Sequence, residues 1–285
     1  MSEITVLLDG LLLPECPRWH DDRLWFSDMH DGRVWAMTEA GQTEPMVRVV
    51  DQPGGLGFLP DGRLLVVSML GHALLRLDDD GLTEVVDLER FSLHPWNDLA
   101  VTADGRAYIG NYGYDVERGD EPAGARMVCV EPDGEAWVVA EQLLFPNGAV
   151  VHPGDGTTEV LLVGETFGQR ISAYDIEGDG SLSNPRVWAD LRPNVPDGMC
   201  LDASGAVWVA DPVFNGVMRV EEGQGVVQWV STGEQSAYGC ALGGSDGRTL
   251  YVCTGRSTNP AKTGDLRSGR IEAVRVDVPA PPSPG

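Results

Sequence analysis

The sequence is short of positive charge, of paired cysteines and of long apolar runs, and each shortage removes a class of function. Twenty Lys and Arg stand against 44 Asp and Glu, a formal net charge of -24. So acidic a chain repels phosphate backbones and anionic bilayer surfaces, which argues against nucleic acid or membrane as partner and leaves a small molecule. The opening residues, MSEITVLLDGLLLPEC, carry neither a basic n-region nor an apolar run long enough for a signal peptide or membrane span, so a cytoplasmic location is expected. The five cysteines (Cys16, Cys129, Cys200, Cys240, Cys253) are an odd number without a C-x-x-C pair. Neither a disulfide framework nor a structural zinc site follows from them, and they read as small buried hydrophobes. No stretch sustains a 3.6-residue apolar period with caps, and there is no P-loop, dinucleotide fingerprint or G-x-S-x-G elbow.

What is present is one phrase repeated. A small or polar opening leads into a short apolar run, an Asp-Gly type turn, a second apolar strand and then a third. ECPRWHDDRLWFSDMHDGRVWAM and DGMCLDASGAVWVADPVFNGVMRV are two of six copies, which open at Glu15, Gly54, Asn97, Asn147, Asp197 and Gly239. Spacings of 39 to 50 residues are those of propeller blades. A fourth strand follows five of the units, as in TEPMVRVV from Thr43, but the sixth runs into the Pro-rich VPAPPSPG. The missing strand is supplied by ITVLLDG, residues 4 to 10, which closes the ring and removes its sheet edges. The expected fold is all-β, a single six-bladed propeller of four-stranded blades over residues 1–278, with a Pro-rich tail at 279–285.

The innermost strand of a blade starts near the propeller axis, so the six opening residues surround one channel. Counting back seven from the turn residue sets their register: Asp22 gives Glu15, Asp61 gives Gly54, Asp104 gives Asn97, Ser204 gives Asp197 and Asp246 gives Gly239. The ring reads Glu, Gly, Asn, Asn, Asp, Gly. Asp-Gly and Asn-Gly taken singly are turn dipeptides, but four oxygen-bearing residues at equivalent places make a ligand set for a hard divalent cation. Without one, Glu15 and Asp197 repel each other in a narrow channel.

The run PECPRWHDDRLWFSDMHDGRVW, the WND at Trp96, the PNG at Pro146, VGETFGQRISAYDI from Val163 and PDGMCLDASGAVWVADP from Pro196 resemble the SMP-30/gluconolactonase/luciferin-regenerating-enzyme family over nearly the whole chain. The resemblance implies a six-bladed propeller with a divalent metal in its channel and lactone hydrolysis, with organophosphate cleavage among related propellers. It implies Glu15, Asn147 and Asp197 as metal ligands, Asp197 also as catalytic base, and Asn97 as a substrate contact or fourth ligand; a metal-bound carboxylate is a weak base, so attack by Asp197 as a nucleophile is the alternative route. The metal is expected to be Ca²⁺, with Mg²⁺, Mn²⁺ and Zn²⁺ as alternatives. Sugar lactonases of the family carry Arg two residues before that asparagine, where this chain has Pro95. Pro95 offers no donor to a sugar hydroxyl, so a less polar or aromatic lactone is expected.

Around the ring, Trp96, Tyr112, Phe167 and Tyr238 are expected to line a substrate pocket, with His30 and His94 at its mouth. Glu165 and Asp28, at the ends of second strands, are expected to cap blade edges, the alternative being support of the ring residues from below. Other readings of the same ring are phosphotriester or ester cleavage, a lyase or isomerase that stabilises an enolate, and a propeller that binds Ca²⁺ or a small ligand without turnover.

Overall fold

A computed structural model of the chain describes residues 4–114, 119–120, 123–154 and 156–282. Twenty-four strands follow in order. After β1 (Thr5–Leu11) the first blade holds β2 (Pro14–His20), β3 (Arg23–Asp28), β4 (Arg33–Thr38) and β5 (Thr43–Arg48), and the second β6 (Pro53–Phe58), β7 (Leu64–Ser68), β8 (Ala73–Asp78) and β9 (Gly81–Asp87). The third is β10 (Trp96–Val101), β11 (Ala107–Asn111), β12 (Ala125–Val130) and β13 (Ala136–Leu143), and the fourth β14 (Pro146–His152), β15 (Val160–Glu165), β16 (Arg170–Ile176) and β17 (Leu182–Asp190). The fifth is β18 (Met199–Leu201), β19 (Val207–Asp211), β20 (Gly216–Glu221) and β21 (Gly225–Ser231). The sixth, β22 (Ser236–Gly243), β23 (Thr249–Gly255) and β24 (Gly269–Arg275), takes β1 as its outer strand, with Thr5 opposite Ala273 and Leu11 opposite Gly269. The six-bladed propeller and its closure by the N-terminal strand are thus as expected.

Local sequence explains the layering. Second strands such as LLVVS and VWVAD are buried at every residue, because each lies between two neighbouring blades and must be apolar on both faces. Outer strands such as TEPMVR keep exposed residues. Trp208 and Trp188 are buried, and Trp25, Trp137 and Trp229 pack against clusters formed between strands, the inter-blade packing that their positions indicate. The hairpin glycines have the positive φ such turns need, 86° at Gly62 and 87° at Gly205.

The one described helix, α1 (Pro260–Leu266), interrupts the long connection between β23 and β24. Asn259 caps it through Ala261 N–H and Pro260 stands in its first turn. In the other long connection, 111–126, residues 115–118 and 121–122 lie outside the described set. The tail adds no strand as far as residue 282, but Pro279 O accepts from Ala203 N at 2.8 Å and Ala280 N donates to Gly247 O at 2.8 Å, pinning it to hairpins of the fifth and sixth blades. All five thiols are free, four buried and Cys200 half-buried. Among the described residues no helix is long and apolar enough to cross a membrane.

Candidate active site

The opening residues of the six inner strands meet around the axis, and contacts close the circle blade by blade. Ser27 Oγ donates to Gly54 O at 2.7 Å. A Cβ built on Gly54 would stand 3.0 Å from Asn97 O. Asn97 Nδ2 donates to Pro146 O at 3.3 Å, and a Cβ on Gly148 would lie 2.6 Å from Asp197 O. Gly198 would meet Gly239 Cα at 2.8 Å, and Gly239 would meet Glu15 Oε2 at 3.3 Å. Gly148 and Gly198 lack the positive φ of the hairpin glycines. Their place beside Asn147 and Asp197 is therefore a matter of close strand approach rather than turning.

Two devices aim the side chains. In β2, β6, β10, β14 and β22 the pairing register shifts within the opening residues, between Glu15 and Arg18 in β2 for example. Such bulges turn a side chain out of the strand's alternation and toward a site. A proline precedes the ring position in four blades, Pro14, Pro53, Pro146 and Pro196; the first three open their strands and Pro196 lies just ahead of β18, places where the missing N–H costs no ladder bond. Its carbonyl is used instead: Pro146 O takes Asn97, and Pro196 O takes Thr166 Oγ1 at 2.9 Å. Asn147 Nδ2 donates to Thr166 Oγ1 at 3.2 Å. Each amide nitrogen keeps one N–H on the wall, and Asn147 also donates to Asp197, which leaves the amide oxygens as the acceptors a cation could use.

The charges inside the ring do not balance. Glu15, Asn97 and Asp197 are buried and Asn147 half-buried. Burial pushes the Glu15 carboxyl up to about 8, against the Cys16 N–H it accepts at 3.1 Å, and Asp98 adds repulsion. Burial and then repulsion from Glu15 and Asp98 hold Asp197 well above the usual carboxylate range. The nearby guanidinium, Arg18, is committed elsewhere: its Nη2 donates to Asp98 Oδ1 at 2.7 Å and to Leu99 O at 2.8 Å. Arg18 lowers the Glu15 carboxyl only as the smallest of the effects on it, so burial of the two carboxylates carries a cost that a cation or protons can offset. Among the described residues no three His, Cys, Asp or Glu side chains gather as a ligand set. The ring's four oxygen-bearing side chains include two amides, and oxygen donors of mixed charge beside two glycines fit a hard divalent cation.

The sequence model of the SMP-30/Gluconolactonase/LRE-like region matches residues 13–256, from Leu13, two residues before the ring glutamate, to Arg256, just past the end of β23. The chain belongs to that family. It is 23% identical over 278 residues to the 6-deoxy-6-sulfogluconolactonase of Pseudomonas putida, covering 94% of this chain and 92% of the relative. It is 37% identical over 256 residues to regucalcin of Xenopus laevis, covering 87% and 84% of the two chains. Luciferin-regenerating enzyme shares the fold, with a TM-score of 0.84 at 18% identity over 98% of this chain and 97% of that one.

Within this member of the SMP-30/gluconolactonase family the other expected site residues divide. Tyr238 is buried beside the ring, its phenol pushed up to about 12 by burial with Glu15 and Asp197 adding to the effect. Tyr112 and Phe167 join Phe145 and Tyr114 in an aromatic cluster at the mouth. Trp96, expected on a pocket wall, is wholly buried in a core cluster with Leu13, Met69 and Leu99 and backs Asn97 from within the protein. His30 Nδ1 lies 2.8 Å from the buried Thr263 of α1, which ties that helix to the first blade. His94 lines a separate cleft of about 440 Å³ with Phe91, Arg126 and Glu141.

Glu165 and Asp28 cap blade edges. Glu165 accepts Leu144 N–H at 2.8 Å and is gripped by Arg170, and Asp28 accepts Leu12 and Leu13 N–H. Asp211 repeats the pattern with Val195 N–H and the Asn194 amide. These carboxylates fix the segments that lead into Pro14, Pro146 and Pro196, and so position Glu15, Asn147 and Asp197. Sequence reading missed Asp98 and Arg18, which sit inside the channel wall, and Phe145. For Asp98 a signal existed, since it occupies the place after the ring residue where Gly55, Gly148 and Gly198 stand.

Proposed function

We propose that the chain is a divalent-cation-dependent lactonase acting on a less polar or aromatic lactone. One observation carries the reading: Glu15 and Asp197 are buried together in an oxygen ring, while the guanidinium that acts on Glu15, Arg18, is hydrogen-bonded to Asp98. Glu15, Asn97, Asn147 and Asp197 would hold the cation, Ca²⁺ first by its taste for carboxylate and amide oxygens. A bound cation supplies positive charge against the lactone carbonyl and the oxyanion that forms from it. Asp197 takes a proton from the attacking water as the water oxygen bonds to the carbonyl carbon. That proton passes to the ring oxygen as the carbon–oxygen bond of the lactone breaks, and a hydroxy acid leaves. Asn97, fixed by Pro146 O, orients the substrate from the side, and Tyr238 contributes a neutral phenol to the wall.

The substrate preference rests on Pro95. It stands where sugar lactonases of the family carry arginine, and its carbonyl accepts Tyr112 N–H at 3.0 Å, drawing an aromatic residue to that edge. The reading is tested by initial rates on sugar, aliphatic and aryl lactones, with chelator-stripped protein given Ca²⁺, Mg²⁺, Mn²⁺ or Zn²⁺ in turn. An aryl or alkyl lactone is expected to open faster than an aldonolactone, with one cation required. Aldonolactones as the faster substrates would reverse the preference, and no lactone opened with any cation would end the lactonase reading.

A further inference from the structure

Four aromatic rings stand at the channel mouth between the third and fourth blades. Phe145 is their centre: it stacks on Tyr112 at 4.3 Å between ring centroids and meets Phe167 and Tyr114 edge-on at 4.9 Å and 6.4 Å. Tyr114 and Phe167 close the group at 5.9 Å. All four lie at the end of the propeller where the ring opens, because Trp96 pairs with Asn111 and Pro146 with Glu165. Phe145 is two residues from Asn147, and Phe167 follows the Thr166 that accepts the Asn147 amide.

Three observations set this cluster apart from ordinary packing. Phe167 is 52% exposed and Leu144 beside it 42%, so an apolar face is left open to solvent, at a cost to the free protein. Phe145 is held at φ 61°, a left-handed backbone uncommon for a bulky residue. Its neighbours pin it there, with Thr166 N donating to Phe145 O at 3.0 Å and Phe167 N to Leu144 O at 3.2 Å. Asn147, finally, is the half-buried member of a ring whose other three oxygen-bearing residues are buried. On the opposite side Met29 and Met69 are buried around Gln52 and cover Gly54. Asn147 is thus the most solvent-exposed of the four oxygen-bearing ring residues, and the aromatic cluster borders it.

We infer that Tyr112, Phe145 and Phe167 form a subsite for an aryl or alkyl substituent of the substrate, with Phe167 its outer wall. The inference rests on the lactonase reading for the identity of the reacting ring, and on the cluster's own geometry for the substituent. A substituent two or three bonds from the lactone carbonyl spans the short step from Asn147 to Phe145. Stacked and edge-on contacts with such a group are the arrangements aromatic rings favour.

The test compares γ-phenyl-γ-butyrolactone with γ-butyrolactone, as the ratio of their kcat/KM values. Phe167→Ala is expected to lower that ratio about tenfold, the order of one well-placed apolar contact. Phe214→Ala, which removes another half-exposed aromatic ring from the fifth blade, is expected to leave the ratio as it is. A ratio unmoved by Phe167→Ala, or moved by Phe214→Ala instead, overturns the placement. Should the wild-type protein open neither lactone, calorimetric binding of 2-phenyltetrahydrofuran against tetrahydrofuran separates the two claims. Tighter binding of the phenyl compound, weakened about tenfold by Phe167→Ala, upholds the subsite and confines the failure to the chemistry. Equal binding overturns both.

Discussion

Asp197→Asn is expected to reduce lactone turnover by about 10²–10⁴-fold at saturating Ca²⁺, the range for loss of a positioned proton acceptor, while the propeller stays folded. The side chain keeps its shape, and Asp197 N–H still donates to Ala210 O at 2.9 Å. What disappears is one negative charge that burial and Glu15 both disfavour. The variant freed of metal is therefore expected to melt no lower than wild type at pH 8. Rates at saturating cation, read beside melting curves in chelator, separate lost chemistry from lost structure. A propeller that only binds its ligand would show a change in affinity with no turnover to lose.

Metal removal should make stability depend on pH, and its sign follows from the ring. In the folded, metal-free protein Glu15 titrates at about 8 against an ordinary value of 4.5, and Asp197 is raised as well. Between those pH values the folded state holds more protons than the unfolded chain. Stability is thus full below about pH 4.5 and falls as pH rises toward 8, by about 1.4 kcal/mol per pH unit for each extra proton held. A bound cation replaces those protons as counter-charge, so the gain in melting temperature on adding Ca²⁺ should grow from pH 5 to pH 8. Glu15→Gln should flatten the metal-free slope. A slope of opposite sign, or a Ca²⁺ gain independent of pH, contradicts the assignment of uncompensated charge to these two groups.

The repeat was legible because hairpin turns recur with a fixed chemistry: Asp or Ser before a glycine of positive φ in four blades, and in the first the pair Asp21-Asp22, which takes positive φ itself. Counting seven back from those turns reaches the ring positions, since inner strand and hairpin keep their length in five blades. The fourth blade hides this register with its longer hairpin HPGDGTTE, and PNG had to place Asn147. Asp197 and Gly198 looked like a turn because sequence alone does not show that the neighbouring strand lies within one atom's width of Gly198. The internal ion pair was also hidden. Arg18 comes from the first blade and Asp98 from the third, 80 residues apart, and an arginine in PRWHDDR reads as surface charge. Trp96 failed as a pocket residue for a related reason: a bulge decides which side of β10 it takes, and bulges leave no mark in composition. Phe145 went unseen because LLFP reads as the end of an outer strand, whereas its left-handed backbone carries it out to the mouth.

The most direct measurement is a calorimetric titration of Ca²⁺ into chelator-stripped protein at pH 8, repeated with Glu15→Gln and Asp197→Asn. The account predicts one cation bound per chain, with proton release as Glu15 and Asp197 ionise, and weaker binding in both variants. No binding of Ca²⁺, Mg²⁺, Mn²⁺ or Zn²⁺ to the wild-type chain, or an affinity that neither substitution lowers, would contradict it.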